Sequence, residues 1–331
     1  MPELPEIQTT VNILNKRVKG LTILDVWTDY DSAFHKGKKN IKDKNYFQYF
    51  RKEILNKKII GVERRAKNVL INVSGNPNDP RACKTILVHL KMTGKLLYGK
   101  YKFVWTYGRS PGGMKNKKWF PPVGSSLADP YNRFIHLVFN LSDKNSLVLS
   151  DTRKFAKVYV FETDKMSETP DLEKLGPEPL EKSFTYKIFK ERLEKKPNGK
   201  IKTVLMDQEI IAGIGNIYSD EVLWMSAIHP MQKVKDIDEI KLKSIYKNVI
   251  KVLQESIKLG GDSMSDYRNP NGEKGGYQNV HKVYRRTGEK CQKKDGGIIR
   301  RIKVGGRSAH YCDVHQILIN PLKFLPTFVK N

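Results

Sequence analysis

The chain has 331 residues, with 61 Lys and Arg against 35 Asp and Glu, a formal net charge of +26. About 150 residues per domain suggests two domains, and 39% hydrophobic residues supply enough apolar material for a packed core, which excludes a wholly disordered chain. No apolar run approaches the ~18–20 residues that span a bilayer. The opening MPELPEIQTT has no apolar segment of the secretory kind, and three cysteines (Cys83, Cys291 and Cys312) are too few for a disulfide framework, so a reducing, cytoplasmic setting is expected.

In chain order, Ile7, Val11, Leu14 and Val18 recur at helical spacing and predict a helix over 2–19, closed by Gly20. Runs rich in Val, Ile, Leu and aromatics predict strands at 21–27, 59–62, 69–73, 85–90, 134–140, 146–150 and 157–161. Two polar stretches, 31–52 and 99–130, interrupt them. The second contains SPGG and FPPVG and reads as a loop or insertion. Pro170, Pro177 and Pro179 mark 166–182 as a linker. Helices are predicted at 186–193, 200–208, 216–227 and 237–259, followed by a Gly-rich polar loop over 262–280. Two cysteines with short strand-like runs between them occupy 283–318. Strands first and helices second indicate an α+β chain with separate domains.

The cationic excess points to a polyanionic partner, with nucleic acid ahead of a membrane surface because no basic amphipathic helix with aromatic anchors is present. A lysine-rich solvated surface is the plain alternative. If Met1 is removed, the chain begins at Pro2, a secondary amine at a helix start. Model α-amino groups titrate near ~8, and the positive end of the helix dipole disfavours protonation. Such an amine can attack a carbonyl-like carbon, with Glu3 and Glu6 one turn away for acid–base work. By composition alone, a proline and acids in the first turn are simply good helix-start chemistry.

Ordered motifs change that balance. Pro2-Glu3-Leu4-Pro5-Glu6, Arg64-Arg65-Ala66-Lys67, His89-Leu90-Lys91-Met92-Thr93-Gly94, Asp151-Thr152-Arg153-Lys154-Phe155 and Leu175-Gly176-Pro177-Glu178-Pro179-Leu180 follow one another. Met206-Asp207-Gln208, Ile214-Gly215-Asn216-Ile217-Tyr218, Gly260-Gly261 through Asp266-Tyr267 to Gly275, and Arg307-Ser308-Ala309-His310-Tyr311-Cys312 complete the series. Together they resemble the formamidopyrimidine/8-oxoguanine DNA glycosylases of the Fpg–Nei family.

The resemblance implies an N-terminal two-layer β-sandwich with flanking helices (1–165), the linker (166–182), and a helix–two-turn–helix domain with a lesion-recognition loop (183–280). A β-hairpin finger (281–318) and a tail (319–331) follow. It implies a bifunctional DNA glycosylase/AP lyase of base excision repair acting on oxidised purines, as a monomer on double-stranded DNA carrying oxidised bases or abasic sites, with no organic cofactor and no membrane partner. The alternatives are an oxidised-pyrimidine glycosylase and a non-catalytic DNA-binding relative. Pro2 matches the nucleophile and Glu3 its acid–base partner. Lys67 and Arg307 match groups that assist at base and phosphate, and Glu6 supports the site. Met92, Arg153 and Phe155 match the residues that fill the space of an extruded base, and Asn216 matches a phosphate contact. Without the resemblance, Met92 and Phe155 would read as core.

The finger departs from the family's four-cysteine pattern. Lys294 and His315 stand where the second and fourth cysteines belong. Cys291, Cys312 and His315 remain as zinc ligands, with Asp295 or His310 to complete a tetrahedron. A finger without zinc, held by packing, is equally open.

Overall fold

In the computed structural model, residues 2–75, 83–106 and 116–319 are described. They form two units: residues up to Glu173 together with Ser256–Gln278, and Lys174–Glu255 together with the residues from Asn279 on. The 256–278 segment, read from the sequence as part of the helical domain, groups with the N-terminal unit.

The first unit opens with α1 (Leu4–Val18), followed by β1 (Ile23–Thr28) and α2 (Lys44–Ile54). Strands β2 (Ile59–Arg65), β3 (Asn68–Val73), β4 (Lys84–His89), β5 (Gly94–Gly99), β6 (Lys102–Thr106), β7 (Asn116–Phe120), β8 (Ile135–Leu141), β9 (Ser146–Asp151) and β10 (Lys157–Glu162) follow. Two antiparallel four-stranded sheets result, in the orders β1-β8-β9-β5 and β10-β4-β3-β2. One core joins them: Val26, Leu96, Phe139 and Leu149 from the first sheet pack with Val69, Ile71, Val88 and Val158 from the second, and Ile7, Val11 and Leu14 of α1 complete it.

The 99–130 stretch is more than a loop. β6 and β7 pair as a hairpin, and a 3-10 turn over Ser126–Ala128 follows. Leu127 packs on Leu97, Val138 and Val148, flanked by Trp27, Tyr101 and Trp119. This insertion covers the outer face of the first sheet, which explains why every residue of β9 is buried: a strand covered on both faces loses its polar alternation. The SPGG segment lies outside the described residues. Helix α2 falls in the other polar stretch, for which the sequence predicts no element. Its N-cap is Asp43, whose carboxylate accepts from Tyr46 N at 2.6 Å and Gly37 N at 2.9 Å.

The second unit contains α3 (Tyr186–Glu194), α4 (Ile201–Met206), α5 (Asn216–Met225), most of α6 (Glu239–Lys258), and a hairpin of β11 (Ile299–Val304) and β12 (Arg307–Cys312). The hairpin turn is Gly305-Gly306, with φ of 55° and 78°. A two-residue turn of this hand needs positive φ at both positions, which glycine supplies without strain.

Candidate active site and nucleic-acid contacts

The start of α1 is built from buried acids. Pro2 is buried, and Glu3 and Glu6 are 2% and 1% exposed. Glu3 is the N-cap, and its backbone N–H donates to Glu6 Oε2 at 2.7 Å. The second Glu6 oxygen accepts from Asp262 N at 2.8 Å, and the Glu6 carbonyl accepts from the hydroxyls of Thr10 at 2.9 Å and Tyr267 at 3.0 Å. Glu6 therefore joins the chain start to the 261–267 loop. Gly261 has φ +84°, and a Cβ there would lie 3.0 Å from Glu6 Oε1 and 3.2 Å from the Tyr267 ring, so glycine is required on both counts. Burial holds the Tyr267 phenol protonated, far above its usual range.

Beyond this loop, Arg268 is 2% exposed. It donates to Asp129 at 3.0 Å and lies over the Tyr131 ring at 4.8 Å. Asn132 Nδ2 donates to the Gly272 carbonyl at 3.3 Å, so the end of the insertion braces the loop's far side. Lys95, fully buried, donates to the Tyr131 carbonyl at 2.6 Å, and burial lowers its pKa to about 8.

Lys67 lies in the turn joining β2 to β3, next to Ala66 at φ 52°, and is 7% exposed. Arg64 Nε donates to Gln8 Oε1 at 2.7 Å, tying β2 to α1. Across the sheet from Asn68 is His89. Burial, then the positive charges of Lys91 and Lys67, lower its pKa to about 3. It is neutral near pH 7, with Nδ1 accepting the Lys91 N–H at 3.0 Å. A histidine whose folded pKa is depressed contributes stability that is present above pH 6.5 and lost as pH falls toward about 3. His89→Gln is expected to flatten the dependence of unfolding free energy on pH across that window by up to about 5 kcal/mol, read by denaturation at a series of pH values; an unchanged profile would contradict the assignment.

Met92, Arg153 and Phe155 come together at adjacent turns, Met92 between β4 and β5, the other two between β9 and β10. Asp151 organises both. Its carboxylate accepts from the Thr93 hydroxyl, from Arg153 N at 3.2 Å and from Ala156 N at 2.7 Å. The Arg153 guanidinium lies 4.4 Å from the Phe155 ring centroid and donates to Met92 Sδ at 3.1 Å. Met92 and Phe155 are 42% and 47% exposed, so neither is core.

In the second unit, Asn216 is the first residue of α5, with Gly215 as its N-cap. The preceding turn is braced by Gln208, which accepts from Gly213 N at 2.9 Å and donates to the Ile214 carbonyl at 2.8 Å. Asn216 Oδ1 is buried without a hydrogen-bond partner among the described residues. Arg307 is exposed at the head of the hairpin.

A buried network not signalled by the sequence holds these parts. Lys202 Nζ contacts Asp220 Oδ1 at 2.5 Å, both side chains being fully buried. The other Asp220 oxygen accepts from His310 N at 3.0 Å and Nδ1 at 2.9 Å. The network links α4, α5 and β12. Glu221 accepts the backbone N–H groups of Lys282, Val283 and Tyr284 at 2.9, 3.1 and 2.9 Å. His310 is thus a buried partner of Asp220, not the fourth ligand in the finger.

Asp295 is the acid that lies beside the two cysteines and His315. One ligand atom each from Cys291, Asp295, Cys312 and His315 lies within 4.8 Å of the others. Cys291 Sγ is 3.7 Å from His315 Nδ1, and Cys312 Sγ is 3.6 Å from Asp295 Oδ2, against edges of roughly 3.3–3.8 Å for a zinc tetrahedron built from ordinary bond lengths; His315 Nδ1 and Asp295 Oδ2 are closer, at 2.6 Å, bonded to each other where a cation would part them. His315 Nε2 faces the Trp224 carbonyl at 3.3 Å, an outer contact that directs Nδ1 toward the cluster. The donor set fits zinc.

Comparison with known proteins agrees with this geometry. A family model described as the formamidopyrimidine-DNA glycosylase N-terminal domain matches residues 1–158, and one for the H2TH domain of the same enzymes matches 175–268. Formamidopyrimidine-DNA glycosylases of Pelotomaculum thermopropionicum and Lactococcus lactis subsp. cremoris are each 33% identical, over 96% of this chain and 99% of theirs. The chain belongs to the formamidopyrimidine-DNA glycosylase family.

Solved structures of that family align closely. A complex of the Lactococcus lactis enzyme with abasic-site DNA has a TM-score of 0.74 at 31% identity, covering 95% of this chain and 99% of that one. A complex of MutM with DNA containing carbocyclic 8-oxo-G has a TM-score of 0.73, with the same identity and coverage. Membership establishes a DNA-binding repair glycosylase with an α+β fold. Among the described residues, no helix is long and apolar enough to cross a membrane.

Proposed function

We propose that the chain is a bifunctional glycosylase/AP lyase for oxidised purines, using the Pro2 amine after removal of Met1. The amine attacks C1′ of the damaged nucleotide. Glu3 protonates the sugar oxygen as the ring opens, the base departs, and an iminium remains. The iminium acidifies the C2′ proton, so β-elimination breaks the 3′ phosphate bond; δ-elimination then breaks the 5′ bond. Lys67 serves at the base and phosphate, and Arg307 and Asn216 hold phosphates. Met92, Arg153 and Phe155 fill the space left by the extruded nucleotide, Arg153 meeting the orphaned base.

The observation carrying this reading is the acidic start of α1. Burying the Glu3 and Glu6 carboxylates beside Pro2 carries a desolvation cost, which a pure binding module has no reason to bear. Excision measured on paired duplexes tests it: release of 8-oxoguanine should exceed release of thymine glycol. The reverse order would make the chain an oxidised-pyrimidine enzyme, and binding without release would make it a non-catalytic relative.

In the finger, Cys291, Asp295, Cys312 and His315 would hold zinc. Bound there, the ion supplies a structural cross-link that fixes the hairpin carrying Arg307. Metal analysis should find about one zinc per chain, lost in Cys312→Ser, with DNA affinity falling about 10- to 100-fold. A chain purified without zinc that binds DNA equally well as wild type and as Cys312→Ser would favour a finger held by packing.

A further inference from the structure

The end of the 99–130 insertion and the 261–267 loop meet at one buried cation that the chemistry above does not use. Arg268, directly after the loop, spreads its guanidinium over three acceptors. Nε donates to Asp129 at 3.0 Å, and one terminal nitrogen donates to the carbonyls of Ser265 at 3.3 Å and Tyr267 at 2.8 Å. A planar fork of donors can hold several acceptors at once, which a lysine cannot reproduce. Asp129 is fixed in turn. It is the N-cap of a 3-10 turn over Pro130–Asn132, and its other oxygen accepts from Tyr131 N at 2.9 Å. Farther along, Tyr98 N donates to the Pro270 carbonyl at 2.8 Å, and the Ser126 hydroxyl donates to the Asn271 carbonyl at 2.5 Å. The two backbones touch there, because a Cβ at Gly272 would lie 2.6 Å from the Ser126 carbonyl oxygen. The loop's other anchor is Glu6, through Asp262 N and the Tyr267 hydroxyl. Between the anchors, Met264 and Ser265 are exposed.

We propose that Arg268 is a positioning residue for base excision: held by Asp129 of the insertion, it sets the shape of the 263–267 tip before a damaged base arrives beside Pro2. The inference rests on the proposed function. The tip is tied through Glu6 to the turn that carries Pro2 and Glu3, so its shape bears on any base seated at that turn. Arg268 touches no reacting atom. It acts by fixing the Ser265 and Tyr267 carbonyls, and the insertion acts by fixing Arg268. A nucleotide that has already lost its base gives the tip nothing to hold. The contribution of Arg268 therefore separates by substrate: excision depends on it, and strand cleavage at a preformed abasic site does not.

Single-turnover rates of wild type, Arg268→Met and Asp129→Asn on an 8-oxoguanine duplex and on an abasic-site duplex test this, at a temperature where all three are folded. Excision should fall about 10- to 100-fold in Arg268→Met, the scale on which a displacement of ~1 Å acts from a distance. The fall should be smaller in Asp129→Asn, which keeps the two carbonyl bonds. Abasic-site cleavage should stay at the wild-type rate. Amide hydrogen exchange should quicken over 263–267 and stay unchanged in α1, a local loosening that a general loss of stability would not give. Should Arg268→Met fail to fold, the same split between substrates in Asp129→Asn decides. Equal losses on both duplexes, or unimpaired excision, would overturn the role of Arg268 while leaving the glycosylase reading intact. Wild-type protein that acted on neither duplex would overturn the glycosylase reading and, with it, this inference.

Discussion

Pro2→Gly is expected to lower both base excision and strand cleavage by about 10³-fold or more, the scale on which enzymes depend on an activated nucleophile. Glycine leaves a primary amine at the same position, so residual activity should exceed that of protein retaining Met1, whose amide nitrogen cannot form an iminium. Glu3→Gln separates the steps. It should cut excision of 8-oxoguanine by ~10²–10⁴-fold, the contribution of a positioned general acid, while affecting cleavage at a preformed abasic site far less. There the sugar opens to the aldehyde without help from the enzyme. Single-turnover kinetics on the two substrates measure the difference. Equal loss on both would assign Glu3 to binding or folding instead of ring opening.

Breaking the buried pair in the second unit should have the largest effect on stability. Lys202 and Asp220 are both fully buried, and Asp220 also receives two bonds from His310. Lys202→Met leaves the Asp220 carboxylate in the interior without its cation, a situation that costs about 3–5 kcal/mol. A Tm loss on the order of 10 °C follows. Asp220→Asn should cost less, because the amide can still accept one bond. The double change to Met and Leu should recover part of the loss, since an apolar pair often replaces a buried ion pair without penalty. Thermal denaturation of the three variants checks the order; a Lys202→Met protein as stable as wild type would remove the pair from its structural role.

Much of this fold was legible because its apolar periods are regular. The α1 spacing of Ile7, Val11, Leu14 and Val18 maps directly onto buried positions, and β3, β4, β9 and β10 read as strands because covered sheets demand continuous Val, Ile and Leu. Four elements escaped. α2 buries only Phe50 and Ile54, so its charged sequence looks like loop; the signal available was Asp43, a good N-cap. β6 and β7 mix lysine with aromatic residues and, among the described residues, pair with each other alone, and β5 begins at Gly94, where a strand pattern is weak.

At the candidate site, the resemblance located residues that geometry then gathered. Local spacing could not have shown that Met92 lies against Arg153 or that Glu6 bonds the 262 backbone, because these contacts join residues 61 and 256 positions apart. The Lys202–Asp220–His310 network was hidden for the same reason, and His310 read instead as a candidate zinc ligand of the finger. From sequence Asp295 was one of two candidates; the folded turn places it, and not His310, beside Cys291, Cys312 and His315.

The central claim is that the chain's own N-terminal nitrogen does the chemistry, and borohydride trapping tests it most directly. Incubation with an 8-oxoguanine duplex and reductant, followed by proteolysis and mass mapping, should give one covalent adduct on the peptide beginning at Pro2. An adduct on a lysine such as Lys67, or no adduct under conditions where the duplex is bound, would contradict it.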